Sequence, residues 1–186
     1  MPRALHTRAF TSVTAATAGV PCTEDPMSDP PSSSDRPLAG LQSLLPATTH
    51  SASETQNLGT RLAETLSSGA VVALYGDLGT GKTQLVKGIA EGLGLSAAAV
   101  RSPTFTILHT YENGRCPLHH FDAYRVQSPD EFTELGFEEY VHGSGITCIE
   151  WAGRVESLLP AHTLHLALTH VAAHQRRLTL RKHTKR

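Results

Sequence analysis

Gly76-Asp77-Leu78-Gly79-Thr80-Gly81-Lys82-Thr83 decides how this chain is read. The stretch fits the phosphate-loop pattern G-x-x-x-x-G-K-[ST] at every fixed position. Before it, Ala70 to Tyr75 is a short apolar run rich in β-formers and reads as a buried strand. After it, Leu85, Val86, Ile89, Ala90 and Leu93 fall at helical spacing between Gln84 and Leu93. Strand, glycine-rich loop and helix form the context that the motif requires. Glycines let successive N–H groups turn inward on an anion. The helix start adds unpaired N–H groups and the positive end of a dipole. Asp77, Leu78, Gly79, Thr80, Gly81, Lys82, Thr83 and Gln84 are therefore the expected nucleotide contacts. Lys82 would reach the β- and γ-phosphates, and the Thr83 hydroxyl would hold Mg²⁺. The competing reading is a glycine-rich turn that happens to carry a lysine.

The 186 residues suit one domain with a tail. A formal net charge of -1 gives no global field for nucleic acid or a membrane surface. Arg176, Arg177, Arg181, Lys182, Lys185 and Arg186 crowd the C-terminus. A solvated tail is favoured there over a basic patch for an acidic partner or RNA. Three cysteines, Cys22, Cys116 and Cys148, include no C-x-x-C pair, which fits a reducing cytosol and suggests no zinc site. His119 and His120 are the only adjacent histidines. On a strand they point to opposite faces, a poor geometry for two ligands on one metal. No run of 18 apolar residues is present to span a membrane.

Residues 1–50 are low in complexity, with Asp29-Pro30-Pro31-Ser32-Ser33-Ser34-Asp35 unsuited to regular structure, and are expected to be disordered. The first 20 carry Arg3 and Arg8 without an acid and faintly resemble a transit peptide; a functionless extension, or a true start at Met27, is preferred. Structure is expected from Ser51, which stands at capping-box spacing from Glu54. A helix with Leu58, Leu62, Ala63 and Leu66 on one face follows, ending at Ser67-Ser68-Gly69. The β-branched and aromatic residues from Ser102 to Tyr111 predict a strand. Glu112-Asn113-Gly114-Arg115 predicts a tight hairpin turn, with a returning strand from Cys116 to Phe121 that Asp122 closes. A hairpin inserted at this point lies near the γ-phosphate and can act as a switch. Ser128-Pro129-Asp130-Glu131 opens an acidic helix. Thr163–Leu168 and Arg177–Leu180 predict a closing hairpin, with Arg176 where its turn, Val171 to Gln175, ends.

Gly145 to Trp151 is the second informative strand. An apolar run that ends in an acid matches the arrangement that carries a carboxylate to the edge of a nucleotide site. Glu150 is therefore the metal candidate, directly or through water, because Mg²⁺ takes one or two carboxylates plus phosphates and water. Asp122 also ends an apolar strand and is its rival; the two could divide the work, one on metal and one orienting the attacking water. Either could instead be a strand-end acid paired with Arg125 or Arg154. Trp151, the single tryptophan, reads by default as packing.

The phosphate loop, Ser102-Pro103-Thr104-Phe105-Thr106, His120-Phe121-Asp122-Ala123-Tyr124-Arg125, Glu134-Leu135-Gly136 and Ile149-Glu150-Trp151 together resemble the TsaE (YjeE-type) ATPases needed to make threonylcarbamoyladenosine in tRNA. The resemblance covers residues 51–182 and leaves 183–186 as a basic tail. It implies an α/β P-loop NTPase sandwich: a central, mostly parallel sheet with a β-hairpin insertion, antiparallel C-terminal strands and helices on both faces. It implies ATP and Mg²⁺, with Thr83 and Glu150 at the metal. Thr104 matches a switch threonine near the γ-phosphate, and Asp122 an essential acid, so Lys82, Thr104 and Asp122 form the expected catalytic set. Arg176 would stand near the adenine, with a residue between Ser53 and Thr55 on its other side, and Trp151 would line the site or a partner surface. The family implies slow ATP hydrolysis in the cytoplasm, partnership with TsaD and TsaB, and only indirect contact with tRNA. Thr80 for the usual Ala, Ala123 for Leu and His109-Thr110 for an acidic stretch are departures that remove no chemical group. A small-molecule kinase and a non-hydrolysing nucleotide sensor are the alternatives on the same fold.

Overall fold

The structure is a computed structural model that describes residues 40–181 except Gln42. Residues 1–39 of the low-complexity start, Met27 among them, and the basic tail at 183–186 lie outside the described residues. Among the described residues seven strands form one sheet: β1 (Ala47–Thr49), β2 (Val71–Tyr75), β3 (Leu108–Tyr111), β4 (Leu118–Asp122), β5 (Ile146–Glu150), β6 (Leu164–Ala172) and β7 (Gln175–Leu180). Their spatial order is β1-β7-β6-β2-β5-β4-β3. The four central strands, β6, β2, β5 and β4, are mutually parallel. The outer pairs β1–β7, β7–β6 and β4–β3 are antiparallel. Every residue of β4 and β5 is buried, as strands covered on both faces require, the polar His119, His120, Asp122, Thr147 and Glu150 included. Among the described residues no helix is long and apolar enough to cross a membrane.

Helices α1 (Ala52–Ala63) and α2 (Lys82–Gly92) cover one face, packing Leu58, Leu62, Leu85 and Ile89 onto Val72, Leu74, Cys148 and Leu166. The short α3 (Pro129–Glu134) and α4 (Phe137–Val141) cover the other. There Phe121 meets Phe132 and Phe137 with ring centroids 5.4 and 5.2 Å apart. The two long helices touch at glycines. A Cβ on Gly88 would overlap the Gln56 carbonyl, and one on Gly92 would crowd Thr60 and Ala63. Ser51 caps α1 by accepting the Glu54 N–H over 3.1 Å, and the Glu54 carboxylate accepts from His50 N–H over 2.8 Å. Glu131 likewise accepts the Ser128 N–H ahead of α3.

Five expectations need correction. Structure begins before Ser51: β1 pairs with β7, and Leu41 and Leu45 are buried in the core. A three-residue edge strand is held by its neighbour's backbone rather than by propensity, so composition hides it. Helix α1 ends at Ala63, ahead of Ser67-Ser68-Gly69. Ser102 to Ile107 is a turn, not a strand. Thr106 and Ile107 N–H groups both donate to the Pro103 carbonyl, and Ile107 has φ 66°. Side-chain hydroxyls of this turn bind elsewhere and so compete with sheet pairing. The β3–β4 connection, too, is no two-residue turn. Asn113 has φ 71°, but Tyr111 pairs with Leu118, leaving residues 112–117 between them. Arg115 draws that loop onto helix ends: its N–H donates to Leu93 O, and its guanidinium to Ala63 O and Leu66 O. Those carbonyls lie at or just beyond the C-terminal ends of the two long helices, α1 and α2. At the other edge, β6 and β7 are longer than expected, so Arg176 stands within β7.

Candidate functional site

The parallel strands all deliver their C-terminal ends to one rim of the sheet, where a switch of strand connection opens a crevice. The loop Gly76–Gly81 leaves β2 there. Gly76 has φ 141°, and a Cβ on it would overlap the Leu168 carbonyl of β6. Gly79 and Gly81 have φ 76° and 98°, a region costly for residues with a Cβ. Gly81 is the N-cap of α2, so the N–H groups of Lys82, Thr83 and Gln84 begin the helix without helical acceptors. Thr80 is buried and its hydroxyl donates to Asp77 O over 2.9 Å, so this hydroxyl braces the loop. Leu78 projects into solvent at the loop's tip.

Lys82 is folded back over this loop. Its Nζ donates to Gly76 O at 2.8 Å and Asp77 O at 2.9 Å, and lies 4.0 Å from the centroid of the Trp151 ring. Burial lowers its pKa below the ordinary lysine value, while Glu150, Asp122 and Asp77 work against that shift. Trp151 adopts φ 57°, which turns the chain sharply after β5 and sets its ring between Lys82 and Tyr124.

Two carboxylates stand beside the loop at the ends of β4 and β5, where Asp122 and Glu150 are register partners. Glu150 Oε1 accepts from Thr83 Oγ1 at 2.7 Å and from His120 Nε2 at 2.9 Å. Asp122 Oδ2 accepts from Ser102 Oγ at 2.7 Å and Thr104 Oγ1 at 2.6 Å, and its Oδ1 from Tyr124 N–H at 2.9 Å. Neither acid takes Arg125 or Arg154 as its partner. Arg154 donates to Val126 O, and the Arg125 guanidinium lies 4.2 Å over the Phe105 ring. Phe105 is 81% exposed although it sits three residues from the site's Ser102. The Cys148 thiol, by contrast, is pushed up by burial and by nearby Glu150, and stays an inert core group.

On the other side of the loop a cavity of about 250 Å³ is lined by His50, Ser51, Ala52, Thr55, Gly79, Gly81, Gln84, His174 and Arg176. Arg176 Nη2 reaches Gly79 O at 3.5 Å and Nη1 reaches Ala173 O at 3.2 Å. Of the span Ser53 to Thr55, only Thr55 lines this cavity; Glu54 and Ser53 are engaged at the helix cap. The rim thus gathers Lys82, Thr83, Thr104, Asp122, Glu150 and the loop glycines, with Gln84 and Arg176 in the adjoining cavity. Sequence reasoning missed the parts played by Ser102, His120, His50 and His174. The alternation of β4 was a usable signal for His120, because it shares a strand face with Asp122.

These elements recur in known proteins. The family profile described as threonylcarbamoyl adenosine biosynthesis protein TsaE matches residues 49–178. A Bacillus subtilis protein named tRNA threonylcarbamoyladenosine biosynthesis protein TsaE is 42% identical over 126 residues, which is 68% of this chain and 78% of that protein. Its namesake from Treponema pallidum is 43% identical over 130 residues, 70% of this chain and 95% of the relative. The crystal structure of Bacillus subtilis YdiB superposes with a TM-score of 0.64 at 37% identity, covering 73% of this chain and 83% of that one. With the profile spanning most of the described residues, the chain belongs to the TsaE family.

Proposed function

We propose that the protein is a Mg²⁺-dependent ATPase that serves threonylcarbamoylation of adenosine in tRNA, in the cytoplasm and together with TsaD and TsaB. One observation carries the reading. A loop with two left-handed glycines, an inward lysine and a Thr83–Glu150 hydrogen bond share one rim with Asp122.

The residues fit the ligand. Gly79 and Gly81 leave space that a Cβ would narrow, with first neighbours at 4.0 and 3.6 Å, so backbone N–H groups can line a phosphate. Among the described residues the Lys82 ammonium donates hydrogen bonds to two carbonyls and lies over the Trp151 face, contacts it can exchange for phosphate oxygens. Thr83 and Glu150 offer the hydroxyl and carboxylate oxygens that a hard cation prefers. The neighbouring cavity, with Arg176 and Gln84 in its wall, is the place for the base and sugar. Mg²⁺, when bound, neutralises charge on the phosphates. Lys82 and the loop N–H groups stabilise the charge that develops on the transferred group. Asp122, an acceptor held by two hydroxyls, orients the attacking water and takes up its proton. Thr104 joins Asp122 to the turn that carries exposed Phe105, and this link supports completion of the site by a partner that grips the turn. tRNA is served through those partners.

The test is phosphate release from ATP by the full chain, alone and with TsaD and TsaB, beside Glu150→Ala. Slow turnover that rises with the pair and vanishes in the variant is expected. A protein that binds ATP yet gains nothing from the pair would break the reading; transfer to a small acceptor would then make it a kinase, and no turnover at all a nucleotide sensor.

A further inference from the structure

The buried histidine behind Glu150 has no part in the function just proposed. His120 lies two residues before Asp122 on β4, so both side chains leave the same face of the strand. It is fully buried, with Leu118 before it on that face, Cys148 as its register partner on β5 and His109 as its register partner on β3. Its Nε2 lies 2.9 Å from Glu150 Oε1, the oxygen that also accepts from Thr83. A carboxylate only accepts, so the ring carries its hydrogen on Nε2. Its Nδ1 is then buried with no hydrogen-bond partner. An unmet polar atom in the core costs stability, and a leucine here would avoid that cost. The benefit that offsets the cost must lie in the bond to Glu150.

We infer that His120 is a positioning residue for the cation site. Its Nε2–H and the Thr83 hydroxyl pin Glu150 Oε1, which fixes the carboxylate plane. Glu150 Oε2 has no hydrogen-bond partner among the described residues, and this pinning leaves it free for the cation. Groups that hydrogen-bond behind a metal-holding side chain fix its orientation in this manner. The inference rests on the reading that a divalent cation accompanies the nucleotide at Thr83 and Glu150.

The experiment compares the full chain with His120→Leu, His120→Gln and His120→Asn. Calorimetry measures ATP affinity with Mg²⁺ and with EDTA, and a melt without nucleotide reports stability. Glutamine carries an amide N–H to the place of Nε2; asparagine is too short to reach it. The expected result is that His120→Leu loses roughly tenfold or more of the Mg²⁺-dependent gain in affinity. Its affinity in EDTA stays unchanged and its melting midpoint does not fall. His120→Gln recovers most of the gain. A leucine variant with the full gain, an equal loss with and without Mg²⁺, or a glutamine variant no better than leucine would overturn the inference. If the leucine variant does not fold, the glutamine and asparagine pair decides: a gain kept by the first and lost by the second supports the role, and equal gains overturn it. A wild-type chain whose ATP affinity ignores Mg²⁺ would overturn the cation site itself, and the inference with it, before any variant is consulted.

Discussion

Asp122 and Glu150 occupy the same level of adjacent parallel strands, yet they are held by different kinds of structure. Glu150 is bonded to Thr83 in the first turn of α2 and to His120 inside the sheet, both parts of the packed frame. Asp122 is bonded to Ser102 and Thr104, which belong to a turn that ends in Ile107 at φ 66°. That backbone shape is costly for a β-branched residue and persists only while its surroundings enforce it. Strand ends can therefore present two equal carboxylates with unequal freedom. One is set when the chain folds; the other depends on where a surface turn lies.

The sharpest test of that difference replaces each acid in turn. Glu150→Gln and Asp122→Asn should each lower ATP turnover about 100-fold or more, read as steady-state phosphate release. Binding should separate them: Glu150→Gln loses the Mg²⁺-dependent gain in affinity, whereas Asp122→Asn keeps it. Equal losses of binding would erase the distinction between frame and turn. Next in size is a pair of stability changes. Gly88→Ala forces α1 and α2 apart and should cost about 1–3 kcal/mol in chemical denaturation. Phe105→Ala, on the turn, should stay within about 0.5 kcal/mol of the parent while reducing stimulation by the partners. A large loss from Phe105→Ala would mean that the turn belongs to the frame after all. Thr104→Val removes one of two hydroxyls on Asp122 Oδ2, an effect of about 1 kcal/mol, or roughly fivefold in turnover. An unchanged rate would assign the work to Ser102.

The smallest effect lies on the frame at alkaline pH. Burial first, then Glu156, pushes the Tyr75 hydroxyl up to about 12 from 10.0, against the pull of Arg181. The folded state thus holds this proton more tightly than the unfolded chain. Its contribution is fully present below about pH 10 and is lost as pH rises through 12. Tyr75→Phe should flatten the fall of the melting midpoint in that window, and an identical fall in both proteins would remove Tyr75 from the account.

Much of this arrangement was legible in the sequence because its signals are contiguous. The loop Gly76–Thr83 carries its own spacing, and the apolar run before Glu150 announces both a strand and the acid at its end. What stayed hidden depends on partners distant in sequence. The hydroxyls of Ser102 and Thr104 make their turn by reaching Asp122, about twenty residues on, so β-branched content alone predicted a strand there. β1 exists because β7 offers it an edge. Arg115 reshapes the hairpin by bonding to helix ends some fifty residues earlier. His120 was weighed as a metal ligand by its sequence neighbour, His119, when its partner was Glu150 on the adjacent strand.

Trp151 is the only indole in the chain, and its ring centroid is 4.0 Å from the Lys82 ammonium. The unlabelled protein therefore carries one tryptophan fluorophore, set against the cation that the proposed entry of phosphate would move. Emission is sensitive to a charge at that range, so the proposed nucleotide binding could be followed optically, in real time, with no dye and no contribution from any other tryptophan. A stopped-flow trace on mixing with ATP would time the release of Lys82 from the ring. A flat trace from protein that calorimetry shows to be saturated would mean that the lysine keeps its seat while the phosphates bind.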